Sequence, residues 1–437
     1  MGKISIEWES VRDRGVLVLT LEEGVPTPVL PACPRRSPAL VAARTVLKTK
    51  VGIVGGGPAG LMLSHMLAKS GIESIVVEKR DHETIRTTHR AGILEHGSVR
   101  MLTEGGVSDR VLTDGYKHDG IDLRFGGESH RIDFEELVGE SVWLYPQNEV
   151  FVDLAAARER DNGDVRYAVS NTEVLDQTTA VPKIRFTDAD GTDFEIHCDI
   201  LVGADGSQGI CKRSIPKELR TDNFIEYPFA WFGILTEAPP SAPELIYANS
   251  EHGFALISQR NDNVQRMYFQ CDPNEDADAW GDEQIWNELQ RRVDGPDGFQ
   301  LKRGPIFEKT VLKFRSYVCE PLRYGNMFLA GDAGHTVPPT GAKGLNLALA
   351  DVKVLFEAID SFYATKSADL LDGYSDKALK RVWRAQNFSY WMTSMLHTRP
   401  DATDFERKRA LGELNGVVSS RHGQAYLAEA YTGWPEH

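Results

Sequence analysis

Short apolar segments alternate with glycine-rich turns, and the first such group predicts a β-α-β unit. Residues 50–54 have the continuous apolar pattern of a buried strand, and the glycine-rich turn 55–60 follows them. Residues 61–69 then carry the apolar positions of a helix, and Ser74–Val77 has the pattern of a second buried strand. A strand, a glycine turn, a helix and a strand in this order are typical of a parallel α/β domain.

The middle of the chain follows another pattern, in which apolar and polar residues alternate with a period of two. No crossover helix fits between these segments, so we predict a separate sheet domain there. From residue 345 onward the pattern is mostly helical. The alternating segments are 231–235, 245–248, 254–258 and 266–270, and further short strands are predicted at 121–125, 142–145, 184–186, 194–197, 310–314 and 327–330.

Changes in these patterns place three domain boundaries. Residues 1–46 are interrupted by prolines and lack the apolar centre of a secretory signal, so we expect a disordered or artefactual extension. A targeting or regulatory extension is the alternative. Residues 47–220 would form the α/β domain, 221–325 the sheet domain, and 326–437 a segment that returns to the first domain and continues as helices.

Composition and charge exclude several classes of partner. The net charge of −15 argues against nucleic acid and leaves no basic patch for a membrane surface. No apolar run approaches the roughly 18 residues of a membrane span. The five cysteines are scattered without a CxxC pair, which indicates reduced thiols in a cytoplasmic protein and no metal site. An anionic substrate would therefore need local arginines.

The turn at 55–60 has the GxGxxG spacing of a dinucleotide-binding site. Gly55 would permit the tight turn, Gly57 the close approach of a pyrophosphate, and Gly60 the packing of helix on strand. Glu78 ends the next strand, where a carboxylate can accept hydrogen bonds from ribose hydroxyls. The alternative is a glycine-rich turn without a ligand.

A second phosphate-type signal lies far along the chain, in residues 328–348. An apolar strand ends in Gly331 and Asp332, a turn rich in proline and glycine follows, and a helix opens near Gly344. Such a turn brings an acid, free N–H groups and a positive helix end together. Two such elements suggest one large cofactor held at both ends, although Asp332 could also be a helix cap and Asp205 a turn residue.

Together these motifs resemble the class A flavoprotein aromatic hydroxylases. The resemblance rests on the GxGxxG turn at 55–60, the Gly-Ala-Asp-Gly string at 203–206, and Gly-Asp at 331–332 followed by the Pro-Pro-Thr-Gly turn at 338–341. It extends from about residue 47 to the end of the chain. Longer strings at 90–97, 244–249, 253–260, 391–394 and 431–433 add to it.

The resemblance implies a Rossmann-like, glutathione-reductase-like FAD-binding domain, a separate β-sheet substrate domain and a C-terminal helical interface region in a homodimer. It also implies that translation begins near Val46 or Leu47 and that the upstream residues come from a misassigned start codon. The aromatic cluster within 383–395 fits either a subunit interface or ordinary helix packing.

FAD is the implied cofactor, lying extended between the two glycine-rich turns. Gly344 and Leu345, at a helix start, would donate N–H groups to a flavin carbonyl, which stabilises the anionic reduced flavin. Asp332 would bond the ribityl chain. The residues implied to contact FAD are Gly55, Gly57, Gly60, Glu78, Thr88, His89, Arg90, Ala91, Gly92, Ile93, Gln147, Asp205, Asp332, Gly344 and Leu345.

The implied substrate is 4-hydroxybenzoate, hydroxylated at position 3 to protocatechuate by O2 through a flavin C4a-hydroperoxide; a related hydroxybenzoate is the alternative. Arg260 would bind the carboxylate bidentately, Ser258 lies on the same strand face, and Tyr268 would reach it from a neighbouring strand. Gln259 completes the implied substrate set. Taken alone, a Ser-x-Arg strand is more typical of a solvated surface pair.

A proton relay is implied for ionising the substrate phenol. Tyr247 would contact the substrate oxygen, Tyr431 would follow, and His118, which titrates near neutral pH, would exchange the proton with solvent. The Pro339 carbonyl would face the substrate hydroxyl. Taken singly, Tyr247 is more typical of a core residue and His118 of a surface residue.

The electron donor stays open between NADPH and NADH. Arg80 and Arg86 in the loop 79–86 could bind a 2′-phosphate, yet Thr84 and Thr88 depart from the basic and aromatic residues of NADPH-specific family members. A flavin-binding sensor without turnover is the rival from another functional class.

Overall fold

The computed structural model describes residues 44–88 and 92–434, and the backbone of two strands nearer the N-terminus. The chain divides into two units, Met1–Ala43 and Arg44–His437. In the first unit Ser5–Val11 pairs antiparallel with Arg14–Thr20, so these residues form a hairpin where we expected no regular structure. The other residues up to Ala43 lie outside the described ranges, as do the implied cofactor residues His89, Arg90 and Ala91.

Strands make up the sheets of both units. They are β1 Ser5–Val11, β2 Arg14–Thr20, β3 Thr45–Lys48, β4 Val51–Val54, β5 Ser74–Val77, β6 Ile93–Glu95, β7 Tyr116–His118, β8 Gly120–Phe125, β9 Glu128–Asp133, β10 Val142–Leu144, β11 Asp164–Arg166, β12 Ser170–Leu175, β13 Lys183–Thr187, β14 Asp193–His197, β15 Ile200–Gly203, β16 Thr221–Glu237, β17 Ile246–Ser250, β18 Gly253–Asn261, β19 Val264–Cys271, β20 Ile306–Glu320, β21 Arg323–Tyr324, β22 Met327–Leu329 and β23 His335–Thr336.

Helices connect and cover these sheets. They are α1 Pro58–Lys69, α2 His82–Thr87, α3 His96–Thr103, α4 Arg110–Thr113, α5 Phe134–Val138, α6 Gln147–Arg160, α7 Asp282–Val293, α8 Gly344–Thr365, α9 Asp369–Asp372, α10 Tyr374–Leu396, α11 Asp404–Val418 and α12 Arg421–Thr432. Among the residues described, no helix is both long and apolar enough to cross a bilayer.

The predicted β-α-β unit forms the centre of a six-stranded sheet with the order β11-β5-β4-β15-β22-β21. All its pairs are parallel except β21 with β22. Every residue of β4 is buried, as expected for a strand covered on both faces. Helix α1 begins at Pro58, three residues before the predicted start, because proline suits the first helical turn.

A second sheet corrects the predicted N-terminal boundary. Strand β3 pairs in parallel with β14 in the four-stranded sheet β12-β13-β14-β3. Thr45 and Val46 therefore belong to the ordered unit, and its boundary lies between Ala43 and Arg44 instead of after residue 46. An isolated four-residue strand carried too little periodicity to be recognised.

The period-two segments form a large sheet with the order β23-β20-β16-β19-β18-β17-β8-β9. Helix α7 packs on one face through Ile285, Trp286 and Leu289. The other face carries Tyr247, Tyr268 and further aromatic residues under the C-terminal helices. Strands β8 and β9 belong to this sheet although they lie within 47–220, so this domain extends beyond the predicted 221–325.

The C-terminal helices divide the aromatic cluster at 383–395 between core and surface. Phe388, Met392 and Met395 are completely buried against the large sheet. Trp383 and Tyr390, seven residues apart on α10, are 44% and 49% exposed. The cluster therefore contains both ordinary helix packing and an aromatic surface.

Candidate active site

The carboxyl ends of four parallel strands surround one cavity of about 710 Å³. Strands β4, β5, β15 and β22 all end here, because parallel strands present their carboxyl ends at one sheet edge. Predicted cofactor residues from distant parts of the chain are thereby brought together. Those that line the cavity are Gly55, Gly57, Glu78, Thr88, Gln147, Asp205, Asp332, Gly344 and Leu345.

The glycine turn after β4 has a conformation that other residues would not tolerate. Gly55 has φ +112°, and a Cβ atom there would collide with the carbonyl of Ala204. A Cβ atom at Gly60 would collide with the Gly55 carbonyl, so this glycine permits α1 to pack on the turn. At Gly57 an added Cβ would meet no protein atom within 4 Å, so the backbone is open to a ligand.

Glu78 is held in place at the end of β5 by two backbone N–H groups. Its Oε2 accepts from Gly56 N at 2.8 Å, and its Oε1 accepts from Arg80 N at 3.0 Å. The Arg80 guanidinium donates to the same Oε1 at 3.0 Å. A carboxylate offers about four acceptor positions, so Glu78 can still receive hydroxyl groups of a ribose.

Asp205, which follows β15, also lines the cavity and has a partly unused carboxylate. Its Oδ2 accepts from the backbone N–H of Cys211 at 2.9 Å, whereas Oδ1 has no hydrogen-bond partner among the described residues. Burial raises the pKa of Asp205, because a desolvated carboxylate loses its hydration. An unpaired buried acceptor at the cavity wall suits a cofactor hydroxyl better than a simple turn.

The far end of the cavity combines the Gly331–Ala333 turn with the start of α8. Gly331 has φ +63°, and its N–H donates to Asp351 Oδ2 at 2.9 Å. A Cβ atom at Gly344 would meet no protein atom within 4 Å, so the first turn of α8 is open to the cavity. The positive end of a 22-residue helix therefore faces the space where a flavin carbonyl was predicted.

These features fit FAD. A glycine cradle, a ribose-binding acid, an unpaired acid and an open helix end follow one another around a cavity whose volume lies within the roughly 300–1,000 Å³ of ligand pockets. The donors and acceptors match the pyrophosphate, hydroxyl and carbonyl groups of an extended dinucleotide.

Three predicted cofactor residues support the cavity without lining it. Gly60 lies at the contact between helix and turn, as described above. The Gly92 carbonyl accepts from Tyr145 N at 2.8 Å, and Ile93 pairs with Leu144. These contacts hold the strand before α3 against the segment that leads into Gln147, and they leave Gly92 and Ile93 away from the cavity surface.

The large sheet assembles the predicted substrate residues on one face. Ser258 pairs with Arg266, and Leu256 with Tyr268, so side chains at 258 and 268 share a face with Tyr247, which pairs with Leu256. Arg260 lies at an irregularity in the β18–β19 register, and its charge acts on Tyr268. Strand alternation directs the side chain of Gln259 to the opposite face, and its predicted contact with the substrate stays a prediction. Only its backbone can face the substrate region.

Arg260 is a half-buried cation that forms no ion pair with a carboxylate among the described residues, although Glu308 and Glu149 lie near enough to act on its charge. Its Nη2 donates to the amide Oδ1 of Asn148 at 3.0 Å, and within the described ranges no carboxylate forms an ion pair with it. Burial lowers the pKa of Arg260, and the nearby charge of Arg266 lowers it further. Tyr268 lies close by, and the Ser258 hydroxyl donates to the Arg266 carbonyl at 2.6 Å.

Two tyrosine hydroxyls meet beneath this sheet face. The Tyr247 and Tyr431 oxygens are 2.6 Å apart, and both side chains are fully buried. Burial raises the pKa of each hydroxyl, so both stay protonated at neutral pH. This hydrogen bond links two residues that are 184 positions apart in the sequence, and they are the first two members of the predicted relay.

His118 differs from its prediction. The ring is 1% exposed, and neither nitrogen has a hydrogen-bond partner among the described residues. Burial lowers its pKa to about 4, with a further contribution from Arg131, so the histidine does not titrate near neutral pH in this state. His118 is the third residue of β7, an edge strand of the three-stranded sheet β6-β10-β7, and its side chain is nevertheless buried, whereas a histidine taken singly is more typical of the surface.

Pro339 begins the short turn Pro339–Gly341 just before α8. Its carbonyl accepts from Ala342 N at 2.9 Å, which leaves one lone pair for another donor. The predicted role in holding a substrate hydroxyl is compatible with this geometry.

Lys343 is a site residue that sequence reasoning missed. It is fully buried at the start of α8, and its Nζ donates to Glu95 Oε1 at 2.5 Å and to the Tyr431 carbonyl at 3.1 Å. It thereby joins the helix end at the cofactor cavity to the helix that carries Tyr431. The sequence signal that could have pointed to this residue is a lysine between glycines, directly before the start of a helix.

The two arginines considered for a 2′-phosphate both lie beside carboxylates. Arg80 donates to Glu78, and Arg86 donates to Glu83 Oε2 at 2.8 Å and to Oε1 at 2.5 Å. Neither side chain is preorganised for a phosphate.

Comparison with known proteins agrees with this geometry. Residues 48–389 match the family model described as FAD binding domain. The chain is 43% identical over 391 residues to p-hydroxybenzoate hydroxylase of Acinetobacter baylyi, covering 89% of this chain and 96% of that protein. It is 26% identical to a 3-(3-hydroxy-phenyl)propionate/3-hydroxycinnamic acid hydroxylase of Mycobacterium avium, covering 76% of this chain and 59% of that protein.

Solved structures share the fold. The p-nitrophenol 4-monooxygenase PnpA of Pseudomonas putida superimposes with a TM-score of 0.74 at 18% identity, covering 90% of this chain and all of that one. With the family match, the long alignment and a cavity that fits FAD, the chain belongs to the FAD-binding-domain family and is a class A flavin-dependent aromatic monooxygenase.

Proposed function

We propose that this enzyme hydroxylates 4-hydroxybenzoate at position 3, giving protocatechuate, with O2 and a reduced nicotinamide. The observation that carries the proposal is the pairing of two features under one sheet face. An arginine that donates to an amide and forms no ion pair within the described residues can hold a carboxylate, and a buried tyrosine pair can hold a phenol. The 43% identical relative bears the name of this activity.

The carboxylate end would bind to Arg260, Ser258 and Tyr268. A guanidinium presents several N–H groups in a plane and binds a carboxylate bidentately. Because this cation lies in a protein of net charge −15, it offers a local positive site in an otherwise repulsive field. An aromatic substrate without a carboxylate would leave the buried cation unpaired.

The phenol end would bind to Tyr247. Hydroxylation by an electrophilic oxygen requires an electron-rich ring, and a phenolate is far more electron-rich than a phenol. Tyr247 and Tyr431 can move the substrate proton along their hydrogen bond without ionising, because burial keeps both hydroxyls protonated. His118 remains the proposed outer end of this path.

FAD, when bound, supplies oxygen activation and accepts hydride from the nicotinamide. The glycine turn and Glu78 would hold its adenosine end, Asp205 its central hydroxyls, and the start of α8 its flavin carbonyl. The helix end stabilises negative charge at that position. Burial of the sheet face under the C-terminal helices keeps water from the reacting atoms.

Substrate-dependent oxidation of NAD(P)H tests the proposal. We expect 4-hydroxybenzoate to accelerate nicotinamide oxidation strongly and to yield protocatechuate, whereas other hydroxybenzoates act weakly. The Tyr247→Phe variant should keep flavin reduction but lose most hydroxylation, with hydrogen peroxide formed instead. No acceleration by any hydroxybenzoate would favour a flavin-binding sensor, and full coupling in the variant would exclude the relay.

The same assay, run once with NADH and once with NADPH, identifies the preferred electron donor. We favour NADH, because Arg80 and Arg86 lie beside Glu78 and Glu83 and are not arranged for a 2′-phosphate. A lower KM for NADPH would contradict this preference.

We also propose a homodimer. Trp383 and Tyr390 form an exposed aromatic surface on α10, of the kind that is enriched at interfaces. Sedimentation equilibrium of the FAD-loaded protein would give twice the chain mass of 48.6 kDa if this is right.

A further inference from the structure

We infer that Asn148 is a positioning residue that joins the carboxylate-binding arginine to the wall of the cofactor cavity. This inference rests on the proposed function. Asn148 is the second residue of α6 and lines the cavity directly beside Gln147. Its Oδ1 accepts from Arg260 Nη2 at 3.0 Å, across 112 sequence positions. One side chain therefore touches both the cofactor space and the substrate cation.

The orientation of the Asn148 amide follows from its partners. Its Nδ2 donates to Glu149 Oε1 at 3.0 Å, while its oxygen faces Arg260. A guanidinium can only donate and a carboxylate can only accept, so the reversed amide would lose both bonds. Glu149 is in turn held by Arg110 at 2.9 Å, and Arg110 also donates to Asp153 at 2.8 Å.

An amide is the suitable partner for this arginine. An amide oxygen orients the guanidinium without neutralising it, so the positive charge and the remaining N–H groups stay available for a substrate carboxylate. A carboxylate at the same place would form an internal ion pair and compete with the substrate. Asn148 thus positions Arg260 and preserves its charge.

The contact also couples the two binding sites. A substrate carboxylate that fixes Arg260 fixes Asn148 and the start of α6, which forms part of the cofactor cavity. Linkage is reciprocal, so FAD must strengthen substrate binding by the same factor. We expect each ligand to bind more tightly when the other is present.

Two variants test this role by binding measurements. The dissociation constant of 4-hydroxybenzoate is measured on FAD-loaded protein, and that of FAD on apoprotein with and without 4-hydroxybenzoate, both by calorimetry. Asn148→Asp should weaken 4-hydroxybenzoate binding at least about tenfold by pairing with Arg260. Asn148→Ala should weaken it several-fold and abolish the effect of 4-hydroxybenzoate on FAD affinity.

Asn263→Asp is the matched control. It adds the same charge at an exposed position three residues from Arg260, where the backbone N–H of Asn263 donates to Asn261 Oδ1 at 2.9 Å. It should bind both ligands as wild type does.

The outcomes separate this inference from the proposed function. If wild-type protein does not bind 4-hydroxybenzoate, the proposed substrate is wrong. If wild type binds it and Asn148→Asp matches the Asn263→Asp control, the positioning role is wrong. Should Asn148→Asp fail to retain FAD, Asn148→Ala decides the matter, because unchanged coupling between the ligands in that variant overturns the inference.

Discussion

At the scale of single residues, the site concentrates polar groups that are buried beyond the reach of bulk water. Tyr247 and Tyr431 satisfy each other, whereas His118 is buried with neither ring nitrogen hydrogen-bonded to any residue that the structure describes. Burying a polar group costs free energy unless it is hydrogen-bonded. A histidine kept neutral in such a place is ready to accept a proton only if one is delivered through the protein.

His118 makes the stability of the protein depend on pH. Its pKa is about 4 in the folded state and 6.5 when unfolded, so between these values the unfolded chain binds more protons. The free energy of unfolding therefore falls as the pH decreases. This residue should account for a loss of about 3 kcal/mol between pH 7 and pH 4.

Urea denaturation of wild type and His118→Gln at both pH values measures this contribution. The glutamine does not titrate, so the variant should lose about 3 kcal/mol less than wild type over the same interval. Equal losses in the two proteins would mean that His118 gains a proton in the folded state as easily as in the unfolded chain.

At the scale of elements, the β4 turn and α1 act as one cofactor-binding unit. The turn leaves its backbone open at Gly57 and requires glycine at Gly55 and Gly60 for reasons of φ angle and close approach. The strand order then adds acids from the ends of β5 and β15 to the same edge. Local conformation and sheet topology are both needed for the cavity.

The substitution Gly55→Ala tests whether the β4 turn is needed for cofactor binding. Alanine at φ +112° is strained and its Cβ would collide with the Ala204 carbonyl, so the turn must shift. FAD affinity should fall at least about tenfold, measured by flavin fluorescence after titration of apoprotein. The control Gly412→Ala lies in exposed helix, where an added Cβ meets no protein atom within 4 Å, and should leave FAD affinity unchanged.

At the scale of the whole molecule, a buried ion pair joins the large sheet to the cofactor turn. Asp351 Oδ2 on α8 accepts from His335 Nε2 at 2.5 Å and from Gly331 N at 2.9 Å. His335 pairs with Val318 of β20, so the contact connects both sheets through one helix. The nearby Asp351 carboxylate outweighs burial and raises the pKa of His335.

Removing Asp351 should therefore destabilise the whole chain. Asp351→Ala leaves a buried histidine and a backbone N–H without their acceptor, which costs about 3–5 kcal/mol. Glu357→Ala, on the same helix, removes only the exposed Glu357–Lys377 pair and should cost at most about 1 kcal/mol. Urea denaturation of both variants measures the difference, and similar midpoints would contradict the structural role of the buried pair.

Much of the architecture could be predicted from local pattern. The β-α-β unit and most strands of the large sheet were recognisable, because burial of one face repeats every two residues in a strand and every 3.6 in a helix. The membership of β8 in the large sheet could not be predicted, because the pattern of a single apolar strand does not indicate which strands pair with it. For Gln259, strand alternation in the sequence alone could have shown that its side chain faces away from Ser258.

Local pattern therefore establishes the class of site: a glycine turn, acids after three of the strands, a helix start, and the order of these motifs along the chain. Which distant side chains meet depends on how the elements pack against one another. The contact of Asn148 with Arg260, the bond between Tyr247 and Tyr431, and the burial of His118 and Lys343 each join segments far apart in sequence. Such contacts depend on how all elements pack together, and no local periodicity encodes them.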